Sequence, residues 1–199
     1  LDRINKDLIK ESIDNTLKVL GFSCKEDYIA YNAIAKTIKQ MLEIDACHIF
    51  LSRGNAMGID KSSNDLILAG SSLNFNDDIY EAGIGYSLNS TGYVPKAFNR
   101  AEIIQVKNCT KDPDFHPILF LNEDKTVSYL AVPMSNNMEK AGVIVIENYT
   151  EKNISEAFIE LLTVTAKLFA VSMRLKHLAE ETEKLIKQED VKVSELQNK

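Results

Sequence analysis

Tryptophan is absent from this chain of 199 residues, which also has only four prolines, eight glycines and three cysteines. Because three cysteines cannot all pair and the chain is long enough to form a core, we expect no disulfide framework and a reducing, cytoplasmic environment. Cys24, Cys47 and Cys109 lack the close Cys and His spacings of a zinc site, so no metal is predicted. The longest interior apolar run, Ala141–Ile146, is far shorter than the ~20 residues of a membrane-spanning helix, which predicts no membrane contact.

Neither sign of charge is in strong excess, since 23 Lys and Arg residues are interleaved with 29 Asp and Glu residues. A net charge of −6 without a basic stripe disfavours nucleic acid as a partner. Hydrophobic residues at 45% and charged residues at 26% are typical of a globular chain, and the length suits one domain of about 150 residues with extensions. Residues 1–5 lack the features of a signal peptide, which favours a piece of a longer protein.

Two amphipathic helices are predicted at the start of the chain. Ser23 and Glu26 have the spacing of a capping box, and apolar residues at helical spacing continue from there to about residue 43. Before them, an apolar stripe at spacings of three and four predicts a first helix over residues 3–20, ended by Gly21. That stripe consists of Ile4, Leu8, Ile9, Ile13, Leu17 and Leu20.

Short β-branched runs predict strands in the middle of the chain. Two pairs of them are joined by polar connections, which predicts two hairpins, and the second should lie centrally in a sheet. Between them, residues 70–122 are irregular and punctuated by Gly and Pro, and such long segments are usually functional or mobile. The predicted strands are Ala46–Leu51, Asp65–Ala69, Ile103–Val106, Thr126–Met134 and Ala141–Asn148.

A helix without Gly or Pro is predicted from Asn153 or Ser155 to the end of the chain. Its apolar residues alternate at steps of four and three, which is the 3.5-residue period of a coiled coil with a partner helix. The elements together indicate an α+β domain with helices on one side of an antiparallel sheet. The predicted seam consists of Val164, Leu168, Val171, Leu175, Leu178, Thr182 and Leu185.

Several segments, in order, resemble a GAF domain over about residues 26–175. These are "MLEIDACHIFLSR" (41–53), "IYEAGIGYSLNSTGYVPKAFNRAEIIQV" (79–106), "NCTKDPDF" (108–115), "SYLAVPM" (128–134) and "AGVIVIENY" (141–149). The resemblance implies a GAF/PAS-like central antiparallel sheet of about six strands and a long C-terminal helix. It also implies a pocket on one face, roofed by the irregular middle, with helices packed on the other face.

The resemblance implies a non-catalytic sensory domain that binds an unidentified small molecule and forms a homodimer through its terminal helices. We expect residues 1–22 to form a dimerisation helix, residues 23–175 the GAF domain, and residues 176–199 a coiled-coil helix toward an output domain beyond Lys199. The resemblance places Tyr86, Tyr93, Asn108 and Ser128 at the wall of the candidate pocket, and the nearby Asp112 and His116 are further candidates. No catalytic residue or cofactor is expected. The pocket candidates are Tyr86, Tyr93, Asn108, Asp112, His116 and Ser128.

Other functions found among GAF domains remain as alternatives. Of the signature of cyclic-nucleotide-binding GAF domains, only Asn148 agrees, and Phe158 and Ile159 stand where an acidic pair is expected. A free methionine sulfoxide reductase needs paired thiols, and Cys109 is the one cysteine near the predicted pocket. A purely structural dimerisation module is the third alternative.

Cys47 and His48 are adjacent on a predicted strand, where alternation sends their side chains to opposite faces, which disfavours bilin attachment.

Two close carboxylates and a histidine, Asp112, Asp114 and His116, could bind a metal or move protons. The same stretch contains Pro113 after Asp112, which is typical of a turn stabilised by side-chain to backbone hydrogen bonds. We therefore predict a turn here, with Phe115 packed under the edge of the sheet, rather than a metal site.

Overall fold

The computed structural model of the chain describes residues 27–53, 65–113, 115, 125–136 and 139–197. Within these residues there are four helices and six strands. The predicted first helix and the capping pair Ser23 and Glu26 lie outside the described residues. The helices are α1 (Asp27–Leu42), α2 (Asp77–Glu81), α3 (Tyr93–Arg100) and α4 (Glu156–Gln197), and the strands are β1 (Ala46–Ser52), β2 (Leu66–Ser71), β3 (Gly85–Tyr86), β4 (Ile104–Val106), β5 (Ser128–Ser135) and β6 (Lys140–Asn148).

The described strands form one antiparallel sheet in the order β3-β2-β1-β6-β5-β4. Both predicted hairpins are present, β1 with β2 and β5 with β6, and β6 lies in the centre beside β1. The predicted α+β class with a six-stranded sheet is confirmed. β3 and the five-residue helix α2 were not predicted from periodicity, because elements this short contain no full repeat of an apolar pattern.

Helices α1 and α4 pack on one face of the sheet, which we call the α1/α4 face. The central apolar residues of α1, including Tyr31 and Ile34, meet Cys47 and Ile49 of β1 there. Phe169 of α4 is fully buried in the same cluster. Burial of these side chains removes apolar surface from water at about 25 cal/mol per Å², so this face holds the main core of the domain.

Helices α2 and α3 cover the opposite face, which we call the α3 face. Its buried cluster is rich in aromatic residues and includes Phe50 of β1, Tyr86 of β3, Tyr93 of α3 and Tyr129 of β5. The Phe50 and Tyr86 rings meet edge to face, with centroids 5.2 Å apart. The α3 face is the one that the resemblance assigns to the pocket.

A β-bulge in β2 changes which side chains reach the α3 face. Leu66 and Leu68 belong to the α3-face cluster, so simple alternation would place Gly70 on that face as well. The pairing with β1 shifts between Ile49 and Phe50, and a Cβ on Gly70 would lie 2.4 Å from Cβ of Tyr31, on the α1/α4 face. The extra residue therefore turns Ser71 to the α3 face.

None of the described helices is both long enough and apolar enough to span a membrane. Within α4, one side packs on the sheet through residues such as Leu162, Ala166 and Met173. The other side is exposed.

Candidate functional site

Four polar side chains lie together on the α3 face at one end of the sheet, and we call them the polar cluster. They are His48 of β1, Ser71 of β2, Glu147 of β6 and Thr126, which precedes β5; each is at most 1% exposed. His48 lies directly opposite Ser71 in the β1–β2 pairing, and Glu147 pairs with Ala46, two residues before His48. The two central strands and the bulge thus bring these residues together.

Hydrogen bonds connect most of the polar cluster. Oγ of Ser71 is 3.0 Å from Nδ1 of His48, and it also accepts a hydrogen bond from the backbone N–H of Leu73. The Thr126 hydroxyl donates to Oε2 of Glu147 at 2.7 Å. Between the two halves, Nε2 of His48 and Oε1 of Glu147 are 3.8 Å apart, which is too far for a hydrogen bond.

The imidazole of His48 is neutral in the folded protein. Burial, and secondarily the positive charge of Lys39, lowers the pKa of His48 to about 3. The contact between His48 and Glu147 is therefore not an ion pair at neutral pH. Nε2 of His48 makes no hydrogen bond to any of the residues that the structure describes. A buried ring nitrogen in that state is unusual, because buried polar atoms in proteins are nearly always hydrogen-bonded.

Three aromatic rings pack together on the α3 face, beside Glu147 of the polar cluster. Tyr129 lies opposite Glu147 in the β5–β6 pairing, and its ring centroid is 5.4 Å from that of Tyr93 in α3. Phe115 is 5.9 Å from Tyr93 and 5.7 Å from Tyr129, centroid to centroid. The site therefore combines a buried carboxyl group and a neutral imidazole with an aromatic surface.

The two cysteines of the described residues lie on opposite faces of the sheet. Cys47 belongs to the α1/α4 core, where burial and then the negative charge of Glu147 raise the pKa of its thiol. Cys109 is buried on the α3 face, and its Sγ donates to the carbonyl oxygen of Thr126 at 3.4 Å. The predicted opposite orientation of Cys47 and His48 is confirmed.

Tyr86 and Tyr93 are the two predicted pocket residues that are buried on the α3 face. Asn108 is exposed instead, and its amide donates to Oε1 of Glu151 at 2.7 Å while its Oδ1 accepts from Thr110. Asp112 is half-buried, and its backbone forms consecutive turns with Cys109 and Phe115. His116 lies outside the described residues.

Ser128 is buried on the face opposite the polar cluster. Leu130 and Val132, two and four residues further along β5, point to the same side as Ser128 and pack in the α1/α4 core. The Ser128 hydroxyl donates to the Thr150 carbonyl oxygen at 3.1 Å. Its hydroxyl therefore connects β5 to the segment that leads into α4. The one-residue alternation of a strand decided this placement.

Sequence reasoning missed all four members of the polar cluster as site residues. The available signals were single polar residues within apolar strand runs, His48 in "ACHIF" and Glu147 in "AGVIVIEN". A glutamate is almost never fully buried without a partner. A glutamate within a strand that is predicted to be buried on both faces is therefore a candidate site residue. Ser71 could not be assigned, because the bulge that orients it has no sequence signal here.

The β5–β6 hairpin contacts both the cover of the site and the long helix. Nζ of Lys140 donates to the carbonyl oxygen of Asn99 at the end of α3 and lies 5.9 Å from the centroid of the Phe98 ring. Oε1 of the preceding residue, Glu139, is 3.5 Å from Nδ1 of His177 in α4. These two consecutive residues therefore connect α3 with α4.

The described residues form an α+β domain whose curled antiparallel sheet carries helices on one face and a covered site on the other. The family model of the GAF domain matches residues 30–173, so the chain belongs to the GAF domain family. A comparison with curated proteins finds no match.

Solved structures of GAF domains share the fold. The GAF domain of a phosphoenolpyruvate-protein phosphotransferase from Acinetobacter is 18% identical, covers 89% of this chain and 97% of its own, and has a TM-score of 0.66. Residues 122 to 287 of a methyl-accepting chemotaxis protein are 16% identical over 83% of this chain and 98% of that one, with a TM-score of 0.62. A free methionine-R-sulfoxide reductase from Neisseria meningitidis is 14% identical over 86% of this chain and 91% of that one, with a TM-score of 0.61. The fold thus occurs in signalling proteins and in an enzyme.

Proposed function

We propose that this chain is a non-catalytic sensory GAF domain. In this proposal it binds a small molecule on the α3 face and forms a homodimer through α4. The ligand has different affinities for two arrangements of the helices, so its binding shifts their populations and regulates an output domain in the same cytoplasmic polypeptide.

The two sides of α4 carry this proposal. One side is buried on the sheet, with Phe169 fully buried, while the predicted seam is 40–62% exposed at its apolar positions. Large apolar side chains that repeat at 3.5-residue spacing on an exposed helix are suited to a second copy of the same helix. The exposed apolar seam residues are Val164, Leu168, Val171, Leu175, Leu178 and Leu185.

Cys47 and Cys109, the two cysteines in the described part of the chain, do not support a reductase role. A reductase of this fold would need two thiols that can reach each other, because the first attacks the sulfoxide and the second resolves the product. Cys47 and Cys109 are separated by the sheet. The Neisseria reductase is thus evidence for a shared fold, while the phosphotransferase and chemotaxis neighbours support a domain of signalling proteins.

A purely structural dimerisation module is the second candidate. The close packing of Tyr93, Phe115 and Tyr129 favours it, because these rings occupy part of the face where a ligand would bind. Cyclic nucleotide binding has less support. Phe158 and Ile159, at the positions of its acidic pair, are packed against the α1/α4 core.

Native mass spectrometry of the purified chain, compared with its denatured mass, tests the proposal. We expect a dimer that carries additional mass, released on denaturation, which identifies the ligand by its weight. A dimer without added mass, even after incubation with a cell extract, would support the structural module instead. A monomer would contradict dimerisation through α4.

A further inference from the structure

The α3 face is closed by side chains in the described part of the chain. Phe50, Leu66 and Leu68 of the sheet are at most 1% exposed. Tyr86, at the edge of the sheet, is 8% exposed. A small molecule therefore reaches this face only after an element that covers it has moved, and α2 and α3 are the two described helices on this side.

Of these two helices, α2 is held to the sheet by far less burial. α3 buries five side chains, whereas α2, with five residues, buries only Tyr80. The stabilisation from burial grows with the apolar area that is removed from water, and a helix of fewer than two turns has little stability of its own. Local opening begins where few side chains are buried, so α2 opens before α3.

The side chain of Tyr80 connects α2 to α1, which lies on the opposite face of the sheet. Its hydroxyl donates to Oδ1 of Asn32 in α1 at 2.7 Å. The same oxygen accepts a hydrogen bond from the backbone N–H of Ser71, at the end of β2, also at 2.7 Å. Asn32 is thus held by β2 and in turn holds Tyr80. This hydrogen bond must break before α2 can leave the sheet.

Tyr28, one turn before Asn32 in α1, contacts α2 at two points. Its ring stacks on that of Tyr80, with centroids 5.2 Å apart and ring planes at 21°. A hydrogen bond with the carboxyl group of Asp77, in the first turn of α2, raises the pKa of Tyr28. Stacked aromatic rings stabilise a contact beyond the area that they bury. We call Tyr28, Asn32 and Tyr80 the tyrosine latch.

We propose that α2 is a lid over the α3 face, and that the tyrosine latch controls how often this lid opens to admit a small molecule. This inference rests on the proposed sensory function and names the element that regulates access to its site. Because Tyr28 and Asn32 belong to α1, each opening also releases contacts at the start of that helix. The lid therefore links the α3 face to a helix on the opposite face. No covalent step is involved.

Hydrogen exchange of the full chain, followed by NMR without any added molecule, tests whether α2 opens first. The amide of Ala82 donates to Asp78 in α2, and that of Lys96 donates to Gly92 in α3. We expect the protection of Ala82 to be lower than that of Lys96 by about tenfold or more, because α2 has fewer buried side chains. Equal protection of the two amides would overturn the lid.

Tyr80→Phe tests the hydrogen bond of the latch, because it removes the hydroxyl and keeps the ring. We expect the protection of Ala82 to fall about threefold to tenfold, the usual effect of one hydrogen bond, and that of Lys96 to stay the same. Tyr149→Phe, the same change outside α1 and α2, is the control and should alter neither amide. Unchanged protection of Ala82 in Tyr80→Phe would overturn the latch.

The ring stack is tested by two variants of Tyr28. Tyr28→Leu removes the aromatic ring, whereas Tyr28→Phe keeps it and removes only the hydroxyl. We expect Tyr28→Leu to lower the protection of Ala82 more than Tyr28→Phe does, because stacking with Tyr80 is lost. Equal effects of the two variants would remove the stack from the latch.

The role of the lid in access is tested with the mass that the purified chain retains in its native spectrum, followed over time after dilution into buffer. We expect this mass to leave Tyr80→Phe faster than it leaves the wild type or Tyr149→Phe. Loss at one rate from all three would leave the sensory function standing and refute the lid. A chain that never retains a mass would refute the ligand claim of the proposed function, and with it the role of α2 in access, while hydrogen exchange still decides whether α2 opens.

Discussion

At the residue scale, the neutral imidazole of His48 makes stability depend on pH. Its pKa is lowered from 6.5 to about 3 in the folded state, so between these values the unfolded chain binds more protons. Stability therefore falls as the pH decreases through this window, by about 2 kcal/mol from this group between pH 7 and pH 5.

We expect His48→Gln, which has no titrating ring, to flatten this part of the pH profile. Urea unfolding at pH 7, 6 and 5 measures the slope for the wild type and the variant. His177→Gln, at a partly exposed histidine of α4, is the matched control for the loss of an imidazole. A slope in His48→Gln equal to that of the wild type would show that His48 is charged in the folded state.

The same residue shows what sequence reasoning could and could not give. Strand alternation correctly placed Cys47 and His48 on opposite faces. It could not bring His48 to Glu147, which is distant in sequence, because that needs the pairing of β1 with β6. Nor could it orient Ser71, which depends on the bulge in β2.

At the scale of elements, those with a run or a repeat of apolar residues were predictable. These patterns gave the helices α1 and α4 and the strands β1, β2, β4, β5 and β6 to within a few residues of their observed bounds. α3 was not predicted from periodicity, since it has eight residues and Gly92 at its N-cap makes no side-chain hydrogen bond. Helix and strand periods need several residues to become visible.

The packing of α1 on β2 depends on the absence of a side chain at Gly70. A methyl group there would meet Cβ and the backbone of Tyr31 at 2.4–2.8 Å, and the backbone of α1 cannot yield as a flexible side chain would. We expect Gly70→Ala to lower the free energy of unfolding by about 1–3 kcal/mol, the usual cost of overpacking. Urea denaturation measures this free energy. An unchanged value would mean that α1 moves away from β2 without any cost in stability.

The dimer prediction also belongs to one element, the exposed side of α4. Replacing Leu168 and Leu175 by Glu puts four carboxylates into the proposed seam of two chains, so we expect a monomer in sedimentation analysis. The control is Lys184→Glu with Lys187→Glu, at exposed positions outside the seam, which should remain dimeric. A dimer in the Leu168 and Leu175 variant would refute this seam.

At the scale of the whole molecule, the β5–β6 hairpin contacts both α3 and α4. Lys140→Met keeps the aliphatic stem over Phe98 and removes the hydrogen bond to the Asn99 carbonyl oxygen. Since the bond is at the surface, we expect global stability to change by less than about 1 kcal/mol. Hydrogen exchange in residues 93–100 should become faster. Unchanged exchange would show that Lys140 does not restrain α3.

Glu139 and Lys140 are consecutive, so one planar peptide unit separates the residue that touches α4 from the residue that touches α3. A turn of that unit large enough to follow a displaced α3 would also move the carboxylate that faces His177. The contact of that carboxylate with His177 of α4 would then change. In the proposed dimer, a displacement of α3 over the sheet would therefore be felt on the long helix that carries the seam.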